Sequence, residues 1–142
     1  MNRRRRSGTG GRGQALVEFS LSLIVFLVLI MAIVDLGRGI YMYNGVSQAA
    51  REIARVTSVH PGSSLGNSPQ TAAVVATQKG LVPSLNSPTF SCVDIDDTPV
   101  TGPCKPGMRV KVTIAAPYRA ITPLLGLVGT FNLSAASSIQ IP

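Results

Sequence analysis

Three groups of residues in this sequence have the types and spacing to take part in chemistry. The first is the boundary Arg12-Gly13-Gln14-Ala15, where an arginine-rich polar leader meets an almost unbroken apolar run. A small residue at such a boundary is what a leader-cutting peptidase could accept, so the chemistry would be peptide-bond hydrolysis carried out by another protein. The second is Glu18, a carboxylate near the start of the apolar run. An ionised group inside a membrane-length helix is costly and is usually kept for a function. Its plainer reading is a glutamate close enough to the interface to snorkel toward the headgroups. The third is Cys92 with Cys104, the only two cysteines. They are not a C-x-x-C pair, and the single His60 cannot complete a zinc site with them. Across a hairpin in an oxidising compartment they read as a disulfide. Closing a loop of that length stabilises a fold by about 3 kcal/mol in the chain-entropy model.

No catalytic constellation stands beside these residues. His60 adjoins a Pro-Gly turn, there is no Gly-x-Ser-x-Gly element, and Gly8-Thr9-Gly10-Gly11 has no strand before it to make a nucleotide loop. Asp94, Asp96 and Asp97 form an acidic cluster that lacks the glycine and terminal glutamate of a calcium loop, so a solvated turn is expected. Aromatic residues are 5% of the chain and tryptophan is absent, which argues against a surface that stacks bases. These features predict no enzyme, no cofactor, no metal, no small-molecule substrate and no nucleic-acid partner.

The elements that position these residues follow from charge and periodicity. The 142-residue chain has a net charge of +7, but five of its 13 basic residues lie in the leader. From Gln14 onward 8 basic residues face 6 acidic ones, so the remainder is close to neutral. Arginines next to an apolar run hold that end in the cytoplasm, and the rest of the chain is expected outside. Residues 1–13 cannot form a core and are expected to be a mobile cytoplasmic leader. Ala15 to Val34 is a stretch of bilayer-spanning length, interrupted only by Glu18, Ser20 and Ser22.

The helix is expected to continue past the span. Met42, Val46, Ala49, Ala50, Ile53 and Val56 recur at steps of three and four, with Asn44, Gln48, Arg51 and Arg55 on the opposite side. One helix over about 14–60 results, with a span of about 15–34 and an amphipathic continuation over 35–60. From Gln14 to Val59 it would be about 70 Å long at the α-helical rise per residue. Gly37, Gly39 and Gly45 inside it are read as positions of close packing against a neighbouring helix rather than as a hinge.

The remaining residues, 61–142, are expected to form an extracytoplasmic head. Pro61-Gly62 ends the long helix. Ser68 and Pro69 start a short second helix that Gly80 stops. The period then changes to two, predicting strands over Thr89–Ile95, from Met108 until Pro117, and from Phe131 to Ile141. Asp96–Gly107 is a turn-rich excursion, and Ile121–Val128 an apolar connector. The fold class is therefore α+β: a long membrane-spanning helix, one short helix and an antiparallel sheet of about three strands.

The pattern Gly13-x-x-x-x-Glu18-Phe19, opening a hydrophobic helix, resembles the processing site of type IV prepilins. Arg12-Gly-Gln-Ala-Leu-Val-Glu-Phe19, then Asp35-Leu-Gly-Arg38 and Ala49-Ala-Arg-Glu-Ile-Ala-Arg55, resembles the TadE-like family of the tight-adherence (Flp) pilus system. The strand Val110–Ala116, Tyr118-Arg119 and Ile121-Thr-Pro-Leu-Leu-Gly126 resembles the family's C-terminal part less specifically. One departure is the absence of proline from Ser20-Leu-Ser-Leu23, which removes the source of a family-type kink.

The resemblance implies a pilin-like fold and a pseudopilin, or minor pilin, needed for pilus assembly. It implies cleavage between Gly13 and Gln14 by the prepilin peptidase, with the apolar helix kept on the protein. It implies that Glu18 pairs with the new α-amino group of a neighbouring subunit. The implied partners are the membrane, other pilins and pseudopilins, the peptidase and the inner-membrane assembly platform. The implied place is the cytoplasmic membrane, single-pass with the N-terminus inside, or the pilus itself. Two other readings stand beside it: the main shaft subunit of a TadE-like filament, and an uncleaved, signal-anchored binding module.

Overall fold

The computed structural model describes residues 10–122 and 129–142, with side chains from residue 13 onward. Arg3 to Arg6, most of the expected leader, and residues 123–128 of the expected connector lie outside the described residues. Helix α1 runs unbroken from Gly10 to Val59, 50 residues. It therefore begins before Gln14. Gly10 to Gly13 holds no favourable helix former except Arg12, so this turn is carried by propagation from the apolar helix behind it. The helix passes through Gly37, Gly39 and Gly45 without interruption.

Helix α2 spans Pro69–Leu81 and starts as expected: Ser68 Oγ accepts the Thr71 N–H at 3.1 Å, and Pro69 occupies the first turn. It runs through Gly80 and ends with Val82 as its cap. Thr57 joins the helices. Its hydroxyl lies 2.7 Å from the Ile53 carbonyl and 3.2 Å from the Thr71 hydroxyl, all of it buried. This small polar network fixes α2 on the distal end of α1.

Four strands complete the head: β1 (Thr89–Val93), β2 (Pro99–Val100), β3 (Arg109–Arg119) and β4 (Thr130–Gln140). They pair antiparallel in the order β2-β1-β3-β4. The fourth strand is the two-residue β2, inside the expected excursion, where Cys92 opposes Val100. β3 does not stop at Pro117 but continues to Arg119. The Thr113 carbonyl accepts the Thr89 hydroxyl, and the Ala115 carbonyl accepts the Asn86 N–H. Alternate β3 residues thus aim their backbone polar groups toward the β1 edge. Pro117 is the next in that series, where β1 has already ended, so its missing N–H removes no ladder bond.

The core lies between α1 and one sheet face. Val46, Ala49, Ala50, Ile53 and Ala54 of α1 are fully buried against Val110, Val112, Ile114 and Ala116 of β3. The predicted polar face of α1, with Asn44, Gln48, Arg51 and Arg55, is exposed. On β4, Leu133, Ala135, Ser137 and Ile139 oppose Ala116, Ile114, Val112 and Val110. Small residues in the middle of β4 face the alanines of α1, which allows close approach. Phe90 lies over Gly66, where φ is +82° and a Cβ would come within 2.5 Å of the ring, so glycine is required there for both reasons.

Candidate functional site

The long helix divides into two halves of opposite character. From Val46 to Ser58 one face is buried by the head. From Gly13 to Val34 every side chain is exposed except that of Ala32, which is half-buried. A helix that is apolar all round and uncovered needs lipid or other helices to cover it. It is also the one helix among the described residues long and apolar enough to cross a membrane. Ser20 satisfies its hydroxyl on the Val17 carbonyl at 2.9 Å. Glu18 is exposed on this half and, among the described residues, has no ion-pair partner. A Cβ added at Gly13 would meet nothing within 4 Å, so no packing among the described residues requires glycine there.

The two halves meet at Asp35, the residue after the span. Its side chain is 3% exposed and receives the β3–β4 connection. The backbone N–H groups of Ile121 and Thr122 donate to its carboxylate at 3.0 and 2.7 Å, and the Thr122 hydroxyl donates to Oδ2. Tyr118 donates its phenol to the Asp35 backbone carbonyl at 2.7 Å. Arg38 sits one turn on, 3.5 Å from Oδ1, with its guanidinium 5.9 Å from the Tyr118 ring centroid. The Thr122 hydroxyl, the Thr122 and Ile121 N–H groups and the Arg38 charge together hold the carboxyl at about 2, against the opposing effect of burial. Asp35 is thus a carboxylate clasp joining the uncovered apolar half of α1 to the head.

The clasp gives a sign-defined pH dependence. A carboxyl held below its ordinary value of about 4 contributes stability that is complete above that value. The contribution is lost as pH falls from about 4 through about 2. The Ile121 and Thr122 amides should therefore exchange hydrogen slowly at neutral pH and open first in acid. Asp35→Asn should raise their exchange at neutral pH and flatten this acid response. Equal protection in variant and wild type would contradict it.

The glycines of α1 serve the junction unequally. A Cβ at Gly45 would come within 3.1 Å of Val82, and one at Gly39 would touch the Tyr118 ring at 3.8 Å. Packing is therefore their role, against the head of the same chain. Gly37 faces open space.

At the far end of the sheet Cys92 and Cys104 are joined by a disulfide, with a Cα–Cα distance of 5.6 Å. Cys104 lies in the loop between β2 and β3 rather than in a strand. Beside it Asp97 pairs with Lys111 at 3.1 Å, and the Asp94 carboxylate accepts the Ile95 N–H. Replacing both cysteines with serine should cost the head about 2–5 kcal/mol. Denaturant unfolding of the detergent-solubilised chain measures this, and a thiol count of zero on the unreduced protein checks the bond.

The structure keeps Gly13, Gln14 and Glu18 together on the exposed half of α1 and places the disulfide at the opposite end of the molecule. Asp35, the polar group with the most hydrogen-bond partners among the described residues, is visible in sequence only as a carboxylate after the apolar run and as the first residue of the Asp35-Leu-Gly-Arg38 element.

Residues 13–55 match the family model described as TadE-like protein. The match opens on Gly13 and takes in Glu18, Asp35 to Arg38 and the Ala49–Arg55 segment, and the head beyond Arg55 lies outside it. That family is one of structural, pilin-like proteins associated with the tight-adherence pilus. No curated protein and no solved structure matches the chain.

Proposed function

We propose that this chain is a minor pilin, or pseudopilin, of a tight-adherence pilus. In this reading it is cleaved after Gly13 and held in the cytoplasmic membrane with its N-terminus inside and its head outside. One observation carries the reading. The helix is covered by its own head over one half and uncovered over the other, inside a segment that matches the TadE-like family. A helix of this kind can leave lipid for a bundle of similar helices, because both surroundings cover the same apolar surface and packing decides between them. The head stays at the surface of such a bundle and keeps α1 pointed outward through the Asp35 clasp.

The peptidase would supply the hydrolysis. This chain supplies a small residue at Gly13, which no packing among the described residues requires, and a helix that retains its apolar surface after the cut. Glu18 would then meet the new α-amino group of a neighbouring subunit, the pairing that resolves an intramembrane carboxylate. The prepilin peptidase, other pilins and the inner-membrane assembly platform are the partners this role requires.

The main shaft subunit is the neighbouring reading, and stoichiometry separates the two. Quantitative mass spectrometry of sheared pili should find this chain far scarcer than a short pilin. Dominance of this chain in the filament would replace the minor role with the shaft role.

A further inference from the structure

We infer that the membrane-proximal end of the head is a lipid-contacting foot, which seats among the anionic headgroups of the outer leaflet. The inference rests on the membrane-spanning reading of residues 15–34 and adds a second contact to it. The two exposed tyrosines, Tyr41 and Tyr43, lie at this end, and Phe131 is exposed there opposite the buried Tyr118, whose phenol donates to the Asp35 carbonyl. Tyr41 is 82% exposed, Leu36 66% and Ile121 63%, an apolar concentration outside the span that the described residues of the head leave exposed. Between α1 and the sheet the same end holds an open groove of ≈ 460 Å³, lined by Leu36, Ile40, Tyr43, Tyr118, Phe131 and Leu133 among others.

The height of this patch is fixed by the helix that carries it. Leu36 to Tyr41 follow Val34 by two to seven residues, which is about 3–10 Å at the α-helical rise. The headgroup layer extends about 5–8 Å beyond the hydrocarbon on each side. Ile121 is drawn to the same level because its N–H is held by Asp35. Leu36 and Arg38 fall within that layer, and the exposed Tyr41 stands just past its outer edge, with the apolar body and polar tip that suit a membrane boundary. An ordinary helix tilt of about 20° toward the groove would seat it further.

Charge favours the same partner. The exposed charged residues of this end, among those described, are Arg38, which pairs with the buried Asp35 at 3.5 Å, and Arg119, which leaves one basic charge in excess. Asp94, Asp96 and Asp97 sit at the other end of β3, beside Arg109 and Lys111. The proximal end is thus basic and apolar together, the combination that lies down on a phosphate-rich surface. A second copy of the chain is the competing occupant, and concentration dependence separates it.

Because the sequence contains no tryptophan, single reporters can be introduced into the full chain in vesicles that contain phosphatidylglycerol. Tyr41→Trp and Ile121→Trp should be quenched several-fold more by headgroup-nitroxide lipid than Ile95→Trp at the distal end. Ile30→Trp should be quenched by acyl-chain nitroxide. Arg119→Gln, which leaves every bond of the Asp35 clasp in place, should reduce the headgroup quenching of Ile121→Trp while the Ile30→Trp signal is unchanged. Quenching at Ile121→Trp no greater than at Ile95→Trp, with Ile30→Trp in lipid, would show an anchored chain whose head stands clear and would overturn the foot. Headgroup quenching that falls as protein is concentrated in the bilayer would give the patch to a second copy and also overturn it. Absence of quenching at Ile30→Trp would overturn the membrane span itself.

Discussion

Gly13→Leu should leave every copy of the chain in the membrane with its arginine leader attached and none in pili. Leucine is a better helix former than glycine by roughly 1 kcal/mol, and a Cβ at this position meets nothing within 4 Å among the described residues. The variant should therefore insert and fold its head as the wild type does. Any loss of assembly then lies in recognition by the peptidase. The uncut leader also keeps a cluster of arginines on the cytoplasmic side, where they resist withdrawal of the helix from the bilayer. Intact-mass measurement of membrane and sheared-pilus fractions checks both parts. Cleaved, assembled Gly13→Leu protein would show that glycine is not what the peptidase reads.

Glu18→Ala should produce the second large effect, loss of recruitment with insertion intact. An acidic residue costs a membrane helix about 2.5–3.5 kcal/mol at its centre and less toward the interface. Removing it makes insertion easier, so an idle glutamate would give a variant that assembles at least as well as the wild type. A glutamate that pairs with a neighbouring amine would give a variant that accumulates in the membrane and fails to co-isolate with pilus components. The chain's own new amine at Gln14 lies one turn back and competes for the same carboxylate. A pair confined to one chain would leave recruitment unchanged, and that outcome would count against an inter-subunit role.

Much of the fold is legible in the residues because their patterns are local. The three- and four-residue spacing of Val46, Ala49, Ala50 and Ile53 marks the buried face of α1, and the structure buries those residues fully. Ser68 and Pro69 mark a helix start because one accepts an orphan N–H and the other needs none. The alternation of Val110, Val112 and Ile114 marks β3 for the same reason of periodicity. The two cysteines are legible because no third one competes.

What is not legible depends on contacts distant in sequence. Pro117 reads as a strand end, yet it continues β3 because β1 is too short to reach it, and strand length on a neighbour is no property of the proline. Pro99-Val100 pairs only because the disulfide-closed excursion returns beside Cys92. Arg38 is the one local partner of the Asp35 carboxylate, while the Ile121 and Thr122 donors lie 86 and 87 residues away, so the spacing shows the ion pair and not the clasp. The exposed half of α1 is the converse case. Composition alone marks it as needing lipid or other helices, while the identity of a neighbouring subunit is written on a surface outside this chain.

The central claim is that this chain is a processed, pilin-like subunit. The N-terminus of the natural protein recovered from membranes tests it most directly. A chain beginning at Gln14, with the apolar helix retained, is the predicted result. A chain still beginning at Met1, in membranes and in any pili that contain it, would contradict the claim and leave an uncleaved, signal-anchored binding module in its place.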